Sequence, residues 1–165
     1  AFEPGERAAA FSRLLDFIDE AGGHMDVGAI AARTLFSVLS DFGRSDLAFE
    51  MITRPDFPSY GNLIARGATS LWETFFDEGK KPDSLNHHFW GDISACFFRY
   101  ILGMNINPDF TDPNHIELRP VAFQNINYAA GTYKRNGCTL TVEVYKTGEK
   151  DVKVRIIENT GFRLS

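Results

Sequence analysis

The chain opens with a helical rhythm and closes with a strand rhythm. Over residues 7–20 the apolar positions Phe11, Leu14, Leu15 and Ile18 recur at the 3.6-residue period that places side chains on one face of a helix. Gly22-Gly23 ends that pattern. A second stripe begins near Val27, runs through Ala31, Leu35, Val38, Leu39 and Phe42, and stops at Gly43. A third helix is predicted over 45–52, with Leu47, Ala48 and Met51 inward and Ser45 as an N-cap, whose hydroxyl can accept from a first-turn N–H. Pro55 and Pro58 then impose a loop over 55–61, since proline cannot continue a helix, and residues 62–66 offer one more helical turn. Residues 67–76 show no clean period, and 77–82 (Asp-Glu-Gly-Lys-Lys-Pro) reads as an exposed loop. A longer helix is expected over 86–102, with Trp90, Ile93, Phe97, Phe98, Ile101 and Leu102 facing inward and Gly103 as its stop.

After Gly103 the period changes to two. Residues 107–113 form a loop, Leu140, Val142 and Val144 share one strand face, and Val152, Val154 and Ile156 share another. Asn136-Gly137 between 132–135 and 139–145 is a type I′ hairpin signal, because both central positions of that turn need positive φ. The expected fold class is therefore mainly α with a C-terminal antiparallel β unit, divided into residues 1–104 and 105–165.

Composition narrows the function classes. The 165 residues are 44% hydrophobic and 13% aromatic, and no apolar run approaches the roughly 20 residues that span a bilayer. From Gly131 onward there are seven Lys/Arg and four Asp/Glu, so the preceding residues hold ten basic and eighteen acidic groups. An acidic main body repels a phosphate backbone, which disfavours nucleic acid. The basic side chains of the last segment read as solvated strand faces. The first residues lack the layout of a signal peptide, and the missing Met points to a processing or domain boundary at Ala1. Two cysteines, Cys96 and Cys138, define no disulfide framework, and Cys96 in its apolar run is expected as a buried thiol.

Reactive side chains are densest between Thr69 and Trp90: Trp72, Glu73, Asp77, Glu78, Asn86, His87, His88 and Trp90. Carbohydrate sites combine aromatic faces, amide and imidazole groups for hydroxyls, and carboxylates for proton transfer. Glu73 interrupts the run Leu71-Trp72-Glu73-Thr74-Phe75-Phe76, so its carboxylate is paired (Arg66 and Arg99 are candidates), protonated, capping a helix, or functional. His87 and His88 sit side by side, and helical neighbours point about 100° apart, so they do not face one ion; no zinc spacing is present and no metal or cofactor is expected. Trp90 lies on the apolar stripe and reads as packing; Trp72 suits either a sugar platform or the core.

Two segments carry a family resemblance. Gly67-Ala-Thr-Ser-Leu-Trp-Glu73 followed by Ser84-Leu-Asn-His87-His-Phe-Trp-Gly91 resembles the paired Trp-Glu and Asn-His signature of glycoside hydrolase family 78, the α-L-rhamnosidases. Gly23-His-Met-Asp-Val-Gly28, Leu47-Ala48, Phe57-Pro-Ser-Tyr-Gly61 and Phe98-Arg-Tyr-Ile-Leu-Gly-Met104 are similar to flanking family segments in the same order, over about residues 10 to 120. The resemblance implies a partial (α/α)6 barrel followed by part of a small β-sandwich. It also implies inverting release of terminal α-L-rhamnose from a rhamnose-containing glycan or glycoside, with Glu73 as catalytic base and His87, Asn86 and Trp72 as sugar contacts. Thr74-Phe75 departs from the family's usual Trp-Glu-x-Trp, and the stretch from Glu73 to Ser84 is shorter than usual. No segment matches the family's general acid, so the chain is expected to be a fragment that is inactive alone and self-associates through its cut barrel edge. The alternatives are a non-catalytic carbohydrate-binding or interaction module, and an (α/α)6 glycosidase for another sugar.

Overall fold

The computed structural model describes residues 3, 5–75 and 83–165. The predicted loop at 77–82, with Asp77 and Glu78, lies outside the described residues. The chain divides into two compact units, Ala1–Asp92 and Ile93–Ser165.

The first unit is helical. Helix α1 (Arg7–Glu20) follows its predicted span and buries Ile18. Helix α2 (Ala29–Asp41) buries Ala32, Leu35, Phe36 and Leu39. The expected stripe is thus corrected at its ends: Ala31 is exposed and Phe42 is 45% exposed, with the Phe42 ring stacked on Phe11 at 4.3 Å. Helix α3 (Ser45–Thr53) buries Ala48, Met51 and Ile52. Ser45 is not its cap. It is the first helical residue, and its buried hydroxyl finds no partner among the described residues. The working cap belongs to α4 (Tyr60–Ala65), where Ser59 accepts from the Asn62 N–H at 2.8 Å and donates to the Arg54 carbonyl at 2.5 Å. A helix start therefore sits inside the segment assigned to loop, because proline at 58 restricts only its own neighbourhood and Ser59 supplies the missing acceptor.

The single helix expected over 86–102 is three shorter pieces: a 3₁₀ turn His88–Asp92, helix α5 (Ile93–Cys96) and a π turn Phe97–Ile101. In the π turn the Leu102 N–H reaches back five residues to the Phe97 carbonyl at 3.0 Å. That extra residue per turn rotates the following side chains relative to an α-helix. Tyr100 and Leu102 are buried as a result, and Phe97, expected inside, is 37% exposed.

The second unit continues as two three-stranded sheets. One, in the order β1 (Met104–Ile106), β2 (His115–Leu118), β6 (Arg163–Leu164), is mixed: β1 and β2 run antiparallel, β2 and β6 parallel. The other, β3 (Tyr128–Arg135), β4 (Cys138–Lys146), β5 (Val152–Thr160), is antiparallel throughout. The predicted turn closes β3 onto β4 with Arg135 opposite Cys138, and Asn136 and Gly137 have φ of 51° and 78°. Leu140, Val142 and Val144 of β4 form a core with Leu102, Met104, Ile116 and Phe162. Ile156, expected to share a face with Val152 and Val154, is 48% exposed; a register shift opposite Thr141 and Val142 disturbs the alternation there. No described helix is long and apolar enough to cross a membrane.

Candidate functional site

Glu73 sits at a bend in an irregular segment held by backbone bonds. Its N–H donates to the Ser84 carbonyl at 2.9 Å, and the His87 N–H donates to the Leu71 carbonyl at 2.6 Å. Ser70 adds a hydroxyl bond to the Leu85 carbonyl. The two parts of the sequence signature are thus laced together, although ten residues separate Glu73 from Ser84. The Glu73 carbonyl accepts the Trp90 indole N–H at 2.9 Å, and the Trp90 carbonyl accepts the Tyr60 hydroxyl at 3.1 Å. Trp90, 4% exposed, is a packing residue: its ring meets Phe75 at 4.5 Å and Tyr60 at 5.9 Å, both edge-on. Tyr60 and Phe75 close the cluster at 5.4 Å. Edge-to-face aromatic contacts of this kind favour fixed ring positions, so the backbone of Glu73 has a rigid support. Phe75, at the second aromatic position of the Trp-Glu-x-Trp pattern, fills this cluster.

Two cavities meet at Glu73. One, about 880 Å³, is lined by Glu73, Thr74, His87 and Phe89 together with Val27–Ala31 and the apolar side chains Leu14, Leu35 and Val38. The other, about 640 Å³, is lined by Glu73, Thr74, Phe75 and Trp90 with His24–Ala29, Phe57 and Pro58. Val27, Gly28 and Ala29 are common to both. The Glu73 side chain is half-buried and makes no ion pair among the described residues. His87 is half-buried, and its Nδ1 is enclosed without a partner among the described residues. A carboxylate and an imidazole therefore line one cavity; the first can take a proton from a hydroxylic ligand and the second can exchange a hydrogen bond with it.

The remaining predicted residues lie elsewhere. Trp72 is half-buried and Asn86 exposed, and neither is among the residues lining the two cavities. His88 is exposed, its ring 6.1 Å from that of His87 and nearly parallel to it. No group of three or more His, Cys, Asp or Glu among the described residues could hold a metal ion.

Sequence reading missed a cluster beside the site. His24 places Nε2 2.9 Å from Asp56 Oδ2 and Nδ1 3.2 Å from the Ala21 carbonyl. Arg54 donates to the same carboxylate through Nε at 3.0 Å and Nη2 at 3.1 Å. The Arg54 hydrogen bond first, and the His24 bond second, hold the Asp56 carboxyl well below the usual carboxylate range. Arg54 and Asp56 are two residues apart and visible as a possible pair; their partner lies 32 residues away from Asp56 and only the fold brings it in.

Residues 2–101 match the bacterial alpha-L-rhamnosidase 6 hairpin glycosidase domain. The chain belongs to this family. It is 30% identical over 130 residues to the alpha-L-rhamnosidase of Alteromonas sp. (strain LOR), covering 74% of this chain and 14% of that protein. Among solved structures it is similar to the alpha-L-rhamnosidase from Dictyoglumus thermophilum, with 27% identity and a TM-score of 0.79 over 94% of this chain and 17% of that one. The native alfa-L-rhamnosidase from Aspergillus terreus shares the fold with a TM-score of 0.84 at 18% identity, covering 98% of this chain and 19% of that one. The chain thus spans less than a fifth of the length of these relatives. It is a glycoside hydrolase-like chain, with a helical segment of six-hairpin type followed by two small sheets.

Proposed function

We propose that this chain carries the base-bearing part of an inverting α-L-rhamnosidase. The carrying observation is that Glu73 and His87, whose segments are joined by the Leu71–His87 backbone bond, line one cavity. In this reading Glu73 takes a proton from water as the water oxygen bonds to the anomeric carbon of a terminal rhamnose. The glycosidic C–O bond breaks on the opposite face, and the leaving oxygen receives its proton from a general acid supplied by another part of the longer protein. His87 exchanges a hydrogen bond with a sugar hydroxyl or with the water. Residues 1–104 belong to the catalytic barrel and 105–165 to a β domain.

With no segment that matches the family's general acid, the isolated chain has little or no hydrolytic activity in this reading. The test is Glu73→Gln in the full-length hydrolase, assayed on 4-nitrophenyl α-L-rhamnoside. An amide cannot accept the proton from water, so turnover should fall about a hundredfold or more. Near-normal turnover removes Glu73 from the mechanism. A full-length protein that binds rhamnosides without cleaving them supports instead the non-catalytic binding module.

A further inference from the structure

The loop between α1 and α2 shares both cavities with Glu73 through Val27 and Gly28. Its first half is fixed by its own turn, in which Gly22, Gly23 and His24 donate to the carbonyls of Asp19, Ile18 and Ala21. Met25, 1% exposed, anchors it from inside. The bracket of Arg54, Asp56 and His24 then ties this loop to residues 54–58. Arg54 lies close against it: a Cβ on Gly23, where φ is +75°, would come within 3.1 Å of Nη1. Both ring nitrogens of His24 face oxygen acceptors, so the ring serves the bracket.

Asp56 is consequently connected to two walls of the 640 Å³ cavity. Along its own chain it leads into Phe57 and Pro58, and through His24 it reaches Met25–Gly28, all lining residues together with Glu73. The Asp56 carboxylate thus joins these two walls. A planar guanidinium fork on one side and an imidazole on the other define its orientation.

We propose that Asp56 is a positioning residue that, through His24 and Arg54, sets the width of the cavity beside Glu73 and hence the fit of the sugar. It acts on binding and leaves proton transfer to Glu73. The identity of the ligand as a rhamnoside rests on the function proposed above; the bracket itself does not.

The experiment compares Asp56→Ala and Arg54→Lys with the unmodified full-length hydrolase on 4-nitrophenyl α-L-rhamnoside, with free L-rhamnose as competitor. For Asp56→Ala the KM and the rhamnose inhibition constant should rise about five- to tenfold, with kcat within about twofold and the pH profile of kcat unmoved. Arg54→Lys, which keeps the charge and loses the fork, should fall between. A folded Asp56→Ala protein, judged by circular dichroism, with unchanged KM and inhibition constant overturns the proposal, as does a fall in kcat at constant KM. Should Asp56→Ala fail to fold, His24→Gln separates the loop while leaving the Arg54–Asp56 pair, and unchanged binding there overturns it equally. Full turnover in Glu73→Gln together with weakened binding in Asp56→Ala would sink the base assignment and leave the positioning role standing.

Discussion

Single residues show how far local chemistry reaches. Glu73 was conspicuous in the sequence because a carboxylate interrupted an aromatic run, and the fold places it where two cavities meet. His87 joins it through backbone pairing, which no side-chain pattern announces. Asp56 carried no such signal. Because its folded-state carboxyl is held below the ordinary range, folding favours its ionised form. That contribution is complete above a pH of about 4, the unfolded value, and fades as pH falls through the lower folded one. Melting temperatures followed from pH 7 to pH 2 should therefore drop more steeply in the native chain than in Asp56→Asn, with the two curves converging in acid. Parallel curves would deny the bracket any stabilising role. Burial pushes the Cys96 thiol up to about 11. At pH 8 it is almost wholly protonated, so iodoacetamide should modify it slowly in the folded chain and rapidly after denaturation, as mass spectrometry of the Cys96 peptide would report.

Among the elements, helix α1 and the β3–β4 hairpin follow their sequence signals closely, because in each the period and the terminating residues agree. Gly137 holds a φ of 78° in the turn. Alanine there should cost about 1–2 kcal/mol, since a Cβ is disfavoured in the left-handed region, and lower the melting temperature accordingly; an unchanged melting temperature would mean the turn has re-formed another way. The segment after Asn86 behaved differently. Its apolar spacing fits one long helix, but backbone pairing of His87 with Leu71 delays the helical start to His88, and the π turn resets the inward face so that Tyr100 replaces Phe97. Those are long-range and packing effects, and periodicity in a single segment contains neither.

For the molecule as a whole, the apolar faces matter most. Phe17, Ile30 and Ile64 of the helical unit are 53%, 80% and 72% exposed, in a chain that spans 14% of its Alteromonas relative. We propose that these faces pack against the remaining hairpins of the six-hairpin domain in the longer proteins and associate with one another in the isolated chain. Light scattering at micromolar concentration should give a mass above the 18.5 kDa of one chain. A strictly monomeric mass would show that the exposed side chains are too scattered to bind.

What the sequence by itself determined was the helix-then-strand order, the hairpin at Asn136-Gly137, the core role of Trp90 and the family. Each of these rests on neighbouring residues whose spacing or turn chemistry carries the information. The site depended on the tertiary structure. Backbone bonds from Ser84 and His87 set the position of Glu73, and the aromatic ring cluster supports it from behind. Asp56 and His24 meet although they lie 32 positions apart in the chain. Such contacts form between segments whose separate patterns say nothing of each other, so only packing the helices together brings the carboxylate, the imidazole and their bracket to one place.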